Sequence, residues 1–302
     1  MDLAHTPYDG SSAPFTIGLK PLDPTRWIEP DALLAAYLDE KDALLRDKRG
    51  LVFQAEPETV GAQAEVFSLL ADYLPGQFPG IYAREGDAIR IIPAGRTVAM
   101  DAEAPLLSAA RLVQEDLCLM REGEGGYRLA AATLCFPSFW SLMEKFGRPM
   151  DAIHTTVPGY AERLGTRINR IFSSLRTEIP VERYNWSLTT DALLHHPQTK
   201  SDAPDRAGGE GGLASFIRVE RQTLRRLPGS GDILFTIKVM VDPIGALEAH
   251  ADGARLAEGL RGQLLALDAD QLAYKGLLDS RDAIADRLHR IASGALSEPA
   301  GA

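Results

Sequence analysis

Two short stretches and one histidine carry the residue types that could do chemistry in this chain. The first stretch is Phe216-Ile-Arg-Val-Glu-Arg-Gln-Thr-Leu-Arg-Arg-Leu-Pro228. It reads as a strand, in which alternate side chains share a face. Ile217, Val219 and Arg221 fall on one side, and Arg218, Glu220 and Gln222 on the other. Arg221 then sits on an otherwise apolar face, where a buried guanidinium needs an anion. Glu220 is a carboxylate placed to face a bound cation. The plainer alternative for both is an Arg–Glu ladder on a solvated sheet face. The second stretch is Tyr184-Asn185-Trp186. Its aromatic pair shares one face, as core residues do, and the Asn185 amide takes the other, where it can donate a hydrogen bond. His154 lies between two predicted helices. Taken alone, it is a core or capping histidine as readily as a metal ligand. His5, His195, His196, His250 and His289 fall in an N-terminal arm, a polar loop and a helical tail. The adjacent pair His195-His196 has no carboxylate or cysteine at ligand spacing and reads as solvated.

Composition narrows the chemistry further. The chain has 302 residues, 45% hydrophobic and 25% charged, with a formal charge of -10. That charge argues against a nucleic-acid partner, since there is no surplus of Lys and Arg to displace counterions from phosphates. It is compatible with a small cationic substrate. The two cysteines, Cys118 and Cys135, form no C-x-x-C pair and read as buried apolar thiols. No nucleophile elbow, Walker loop or H-E-x-x-H occurs. The first residues lack the basic and apolar regions of a signal peptide. No apolar run approaches the roughly 20 residues needed to span a bilayer. A cytoplasmic protein with no membrane partner is the expectation.

The elements that must position these residues follow from periodicity. An extended arm over 1–30 leads to helices over about 30–49, 63–74 and 104–114, with a short strand at 88–92. Strands at 116–121 and 127–136 are joined by Glu122-Gly-Glu-Gly-Gly126, a hairpin turn and not a phosphate loop. Helices are predicted at 137–146 and 160–175, then strands at 181–188, 214–223 and 232–241. Between the first two of these three strands lies a polar, glycine-rich loop at 195–212, a candidate lid. The tail, 243–293, reads as helices built on Leu260, Leu264 and Leu265 and on Ile284, Leu288 and Ile291. Periodicity alone supports an α+β antiparallel sheet in one domain over 1–302.

Several blocks together resemble the haem-dependent oxidative N-demethylase family. They are Leu134 to His154, Leu112-Val-Gln-Glu-Asp-Leu-Cys-Leu119, Tyr184-Asn-Trp186 and Phe216 to Pro228, with Gly18-Leu-Lys-Pro-Leu22 and Leu234-Phe-Thr-Ile237. The resemblance implies a PAS-like five-stranded antiparallel sheet over about 112–241. In that fold helices are inserted after the second strand, one sheet face is left for a pocket, and helical additions here occupy 30–111 and 243–293. It implies a haem b, held without covalent attachment because no C-x-x-C-H motif is present. His154 would be its axial ligand, and Arg221 and Arg225 would be partners of its propionates. Glu220 would hold the substrate ammonium, and Asn185 would donate to bound oxygen or to substrate. The implied activity is O2-dependent demethylation of a small secondary amine such as dimethylamine, with formaldehyde released. Electrons would come from NADPH through a reductase partner carrying flavin and iron–sulfur centres, because the chain has no dinucleotide fingerprint and too few cysteines for a four-Cys cluster. The alternative is a haem-binding PAS sensor without turnover, and a third is a relative that has lost its haem. The lack of a kinase-like or DNA-binding output module favours the enzyme.

Overall fold

The computed structural model describes residues 3–155, 157–158, 165–198 and 213–294. Its main element is a seven-stranded antiparallel sheet in the order β1-β8-β9-β10-β6-β7-β2. Five long strands make its centre: β6 (Asp116–Gly123), β7 (Gly126–Thr133), β8 (Val181–Thr189), β9 (Phe216–Arg226) and β10 (Ile233–Pro243). The expected five strands therefore become seven. Two short edge segments, β1 (Lys20–Pro21) and β2 (Phe53–Ala55), pair with β8 and β7. They are too short to show a period of two. A second sheet joins β3 (Tyr82–Glu85), β4 (Ala88–Ile91) and β5 (Arg96–Ala99); of these, the sequence predicts only the middle strand.

The hairpin between β6 and β7 turns through Glu124 and Gly125, closing at the pair Gly123 and Gly126. Gly126 has φ 102°, and a Cβ there would meet Asn169 Oδ1 at 2.8 Å. Only glycine allows this turn to pack under the helix Gly165–Ser174.

Both faces of the sheet are covered, so its strands read as apolar runs rather than clean alternation. On one face, Leu117, Leu119 and Leu234 pack against the helix Val60–Gln77 and the small sheet, through Leu70, Leu74, Ile89 and Ile91. Farther along the same face, Ile217 and Val219 pack on the C-terminal helices Gly253–Leu265 and Arg281–Ser293, through Leu260, Leu264, Ile284 and Leu288. Leu265 instead points outward. The opposite face carries Cys118, Met120, Leu129, Leu224 and Ile237. It lies beneath the segment inserted between β7 and β8, with helices Leu142–Lys145, Met150–Ile153 and Gly165–Ser174.

The chain leaves β7 earlier than expected. The buried Asp116 carboxylate accepts the backbone N–H groups of Cys135 at 2.8 Å and Phe136 at 2.7 Å, turning the chain off the ladder. The helix expected at 137–146 then shrinks to Leu142–Lys145. Phe139, at φ 60°, stands in the left-handed region that no helix tolerates. The predicted helix at 160–175 is observed over Gly165–Ser174; 159–164 lie outside the described residues, as does most of the loop at 195–212.

Burial raises the Asp116 carboxyl from its ordinary value of 3.8 to about 6, against the opposing pull of Lys41 and the two N–H groups. The folded state therefore binds a proton that the unfolded state releases between about pH 4 and 6. The carboxyl's contribution to stability is full below about pH 4 and is lost as pH rises past 6. Urea unfolding of wild type and Asp116→Asn at pH 4, 5, 6 and 7 should show wild type losing its stability advantage as pH rises. A difference that is flat or grows with pH contradicts this.

Candidate functional site

The inserted segment and the sheet face below it enclose a cavity of about 280 Å³, near the lower end of the roughly 300–1,000 Å³ typical of small-molecule sites. Its floor is apolar, with Met120, Leu129, Leu224, Phe235 and Ile237, and its roof includes Met150, Ile153 and Phe172. Both ends of the chain contribute wall. Phe15, Thr16, Ile17 and Leu19 come from the arm, and Tyr274 and Lys275 from the helix Ala269–Lys275. Phe15, at φ 58°, and Phe139 are the positive-φ residues other than glycine among those described, and both line this cavity. Such backbone gathers where a site imposes geometry that the local chain resists.

The polar groups come mainly from β8 and β9. Their register sets Asn185 opposite Glu220 and Arg183 opposite Gln222. Alternation then sends all four toward the cavity. Gln222 Nε2 donates to Glu220 Oε2 at 2.8 Å, and Asn185 Nδ2 donates to the same oxygen at 3.4 Å. Glu220 is 8% exposed. Its carboxylate is thus held by two neutral amides inside an apolar chamber.

His154 follows the helix Met150–Ile153 and lines the same cavity. Its Nδ1–H donates to the Met150 carbonyl at 2.9 Å. That bond fixes the tautomer, so Nε2 is the nitrogen with the lone pair, the form in which imidazole binds a metal. Burial pushes the ring's pKa down to about 4; the Met150 carbonyl opposes this, and Lys145 and Arg183 add to it. The imidazole is neutral above that value. Lys145 also lines the cavity, with Nζ 4.6 Å from the Trp140 ring centroid. Burial lowers its pKa to about 8, against the pull of Glu144 and Glu220.

The structure brings His154, Asn185 and Glu220 together and sets Arg221 and Arg225 apart from them. Arg221 does lie on an otherwise apolar face and does have anions, but they are the protein's own. Its Nη2 is 2.9 Å from Glu182 Oε2, and Nη1 and Nη2 donate to the carbonyls of Trp27 and Arg26. Glu29 stands 3.7 Å away. Burial opposes ionisation of Glu29, but His5, Arg221 and Arg26 outweigh it and hold the carboxyl down to about 2. Arg225 lies over the Trp27 ring at 4.6 Å. Odd-numbered residues of β9 face away from the cavity, so neither arginine has the position expected of a propionate partner. Arg226, next along the strand, donates to the Leu175 and Phe172 carbonyls at 2.8 and 2.7 Å.

His195 and His196 are not solvated either. His195 Nδ1 donates to the Cys135 carbonyl at 2.8 Å, and buried His196 stacks on Phe139 with centroids 4.6 Å apart and Asp191 nearby. Sequence reasoning missed Arg183 and Lys145, and it set Gln222 on the face of Glu220 without giving it a role. For Arg183 a signal existed, because it shares parity with Asn185 on β8. Arg218 also points to the cavity side but is spent on its frame. It donates to Ser138 Oγ at 2.7 Å and to the carbonyls of Leu193, Phe136 and Leu194 at 3.0, 2.9 and 2.9 Å.

Among the described residues, no three His, Cys, Asp or Glu side chains gather as a metal cluster. A haem iron needs only one or two axial ligands from the protein, because its macrocycle supplies the rest. A family model described as haem-dependent oxidative N-demethylase, alpha subunit-like, matches residues 18–285. The chain belongs to that family. Haem dependence, oxidative N-demethylation and an alpha-subunit-like role are the properties the family's description carries, and a partner subunit accords with the last. No helix among the described residues is long and apolar enough to cross a membrane.

Arg218→Met should destabilise the fold by roughly 3 kcal/mol or more, because it strands several buried carbonyls at once. Chemical unfolding followed by tryptophan fluorescence measures this. A loss below about 1 kcal/mol would mean the carbonyls find other donors.

Proposed function

We propose that this chain is the haem-binding subunit of an oxidative N-demethylase acting on a small secondary amine such as dimethylamine. The observation that carries the reading is one apolar cavity holding both a neutral imidazole, with Nε2 as its acceptor nitrogen, and an amide-braced carboxylate, Glu220. In the proposal β6 to β10 form a PAS-like core within a single domain, with β1 and β2 as edge additions. The helices inserted between β7 and β8 support that reading, since they roof one sheet face.

These residues fit a haem b. The floor and roof are apolar, as a macrocycle requires, and His154 would hold the iron through Nε2. When bound, the haem supplies the activation of O2. Glu220 pairs with the ammonium form of the amine, an interaction strengthened by burial and weakened by every water admitted. Gln222 and Asn185 both donate to Glu220 Oε2, which fixes the carboxylate's rotation and so the place of the substrate nitrogen. The Asn185 amide also stands where it can donate to oxygen or substrate. The apolar floor and roof limit the water around the Glu220 carboxylate. The overall reaction takes one dimethylamine, one O2, two electrons and two protons to methylamine, formaldehyde and water. The electrons need a donor outside the chain. A reductase partner drawing on NADPH through flavin and iron–sulfur centres would supply them, since both cysteines here are buried with thiols that burial pushes up.

Hemin added to the apoprotein should give a Soret band that travels with it on gel filtration. His154→Ala should lose that band or change its spin state, whereas His195→Ala should leave it unaltered. A wild-type ferric spectrum in His154→Ala would exclude this ligand.

Purified chain with hemin, dimethylamine, O2 and NADPH should release no formaldehyde, and should release it once a reductase able to reduce the haem is added. Glu220→Gln should raise the KM for dimethylamine by roughly tenfold or more, as expected for a lost buried charge pair. A reduced haem that binds O2 without forming formaldehyde would favour a sensor.

A further inference from the structure

The cavity carries a charge imbalance that its own residues do not correct. Among the described residues that line it, the cationic side chains are Lys145, Arg183 and Lys275, and the one carboxylate is Glu220. These side chains leave a surplus of two positive charges in the lining, inside a protein whose formal charge is -10. Lys275 is committed to the chain, with Nζ donating to the Trp186 carbonyl at 2.5 Å and lying between the Trp186 and Phe15 rings. Lys145 lies over Trp140. Arg183 differs from Arg218 and Arg221. Arg218 and Arg221 have their guanidinium groups occupied by carbonyls, a hydroxyl or carboxylates. Arg183 reaches the Thr16 carbonyl through Nη2 at 3.3 Å, and its buried Nε–H has no partner among the described residues, as is also true of Arg225, which lies outside the cavity. A desolvated guanidinium donor without an acceptor is costly, and it stands in a cavity wall.

We propose that Arg183 binds a carboxylate of the cavity's occupant, as the propionate clamp that neither Arg221 nor Arg225 is placed to be. A surplus of two charges matches a flat apolar ligand bearing two carboxylates, and a guanidinium binds one of them as a fork where an ammonium acts as a point charge. Lys145 is the second cation, on the opposite wall formed by the inserted segment. Glu220 lies opposite Asn185 and diagonal to Arg183 across the β8–β9 ladder. It attracts both Lys145 and Arg183, and a ligand's two carboxylates would offset the remaining surplus. The Thr16 contact ties the clamp to the N-terminal arm, so the carboxylate also helps seat the arm against the cavity. This assignment rests on the haem reading, and its test separates the two.

Hemin and hemin dimethyl ester, in which both propionates are esterified, are titrated into apoprotein and followed at the Soret band. In wild type, esterification should weaken binding by roughly a hundredfold, about two charge-assisted pairs. In Arg183→Met the same esterification should cost roughly tenfold less than in wild type, because one of the two partners is already gone and Lys145 remains. Equal ratios in wild type and variant overturn the assignment while leaving haem binding intact. Absence of any Soret band with hemin in wild type overturns the haem reading and this assignment with it. Circular dichroism checks that Arg183→Met folds. If it does not, Arg183→Lys takes its place, since it keeps the charge without the fork. Its ratio should fall between the two, and a wild-type ratio there overturns the proposal.

Discussion

The molecule depends on the register of β8 against β9 in a sheet that is buried on both faces. Each residue of these strands goes either to the cavity or to the opposite core, and a period of two makes the choice for all of them together. A slip of one residue would send Arg221 into the chamber and Glu220 into the layer holding Trp27 and Glu182. The pairing of Asn185 with Glu220 and of Arg183 with Gln222 is thus what gives the site its chemistry. The hairpin between β9 and β10 shares that register for eleven pairs, from Phe216 with Pro243 to Arg226 with Ile233. The site is placed on a rigid element, and only its roof is made of short helices and turns.

Keeping so many charges inside such a sheet demands partners, and the chain supplies most of them from its own backbone. Lys41 donates to the carbonyls of Val113 and Glu115, and Lys238 to that of Glu29 with Asp31 beside it. Arg218 and Arg226 do the same for the segments that frame the cavity. These cations act as crosslinks between irregular loops whose carbonyls would otherwise be buried without donors. Asp116 plays the complementary part, accepting two N–H groups where the chain leaves β7.

What could be read from sequence was what strands encode locally. Parity set Asn185 on the face away from Tyr184 and Trp186 and Glu220 on the face away from Arg221, and it gave Arg221 a demand for an anion; only the register joined Asn185 to Glu220. That demand was met, but by Glu182 on the next strand and by Glu29 from a distant turn. Parity names a face without naming what covers it, so nothing local distinguished these carboxylates from a ligand's. Arg183 obeyed the same parity as Asn185 and could have been found. Lys145 and the cavity walls at Phe15 and Tyr274 could not, because long-range packing alone brings them in. The shortened helix after β7 has a similar cause. Its composition is helical, but Pro137, the left-handed Phe139 and the Arg218 bonds to this segment override local propensity. The edge strands escaped because two or three residues carry no periodicity.

The cavity wall contains Phe15 at one end of the chain and Lys275 at the other, in contact through a ring and an ammonium 5.3 Å apart. During synthesis the first of these leaves the ribosome long before the second. For that interval the chamber has one side open, its apolar floor is wetted, and the Lys275 ammonium is not yet beside the Phe15 ring. A cofactor arriving early would meet a bowl rather than an enclosed site, and would dissociate readily. On the proposed reading, haem is therefore retained only once the C-terminal helices have docked.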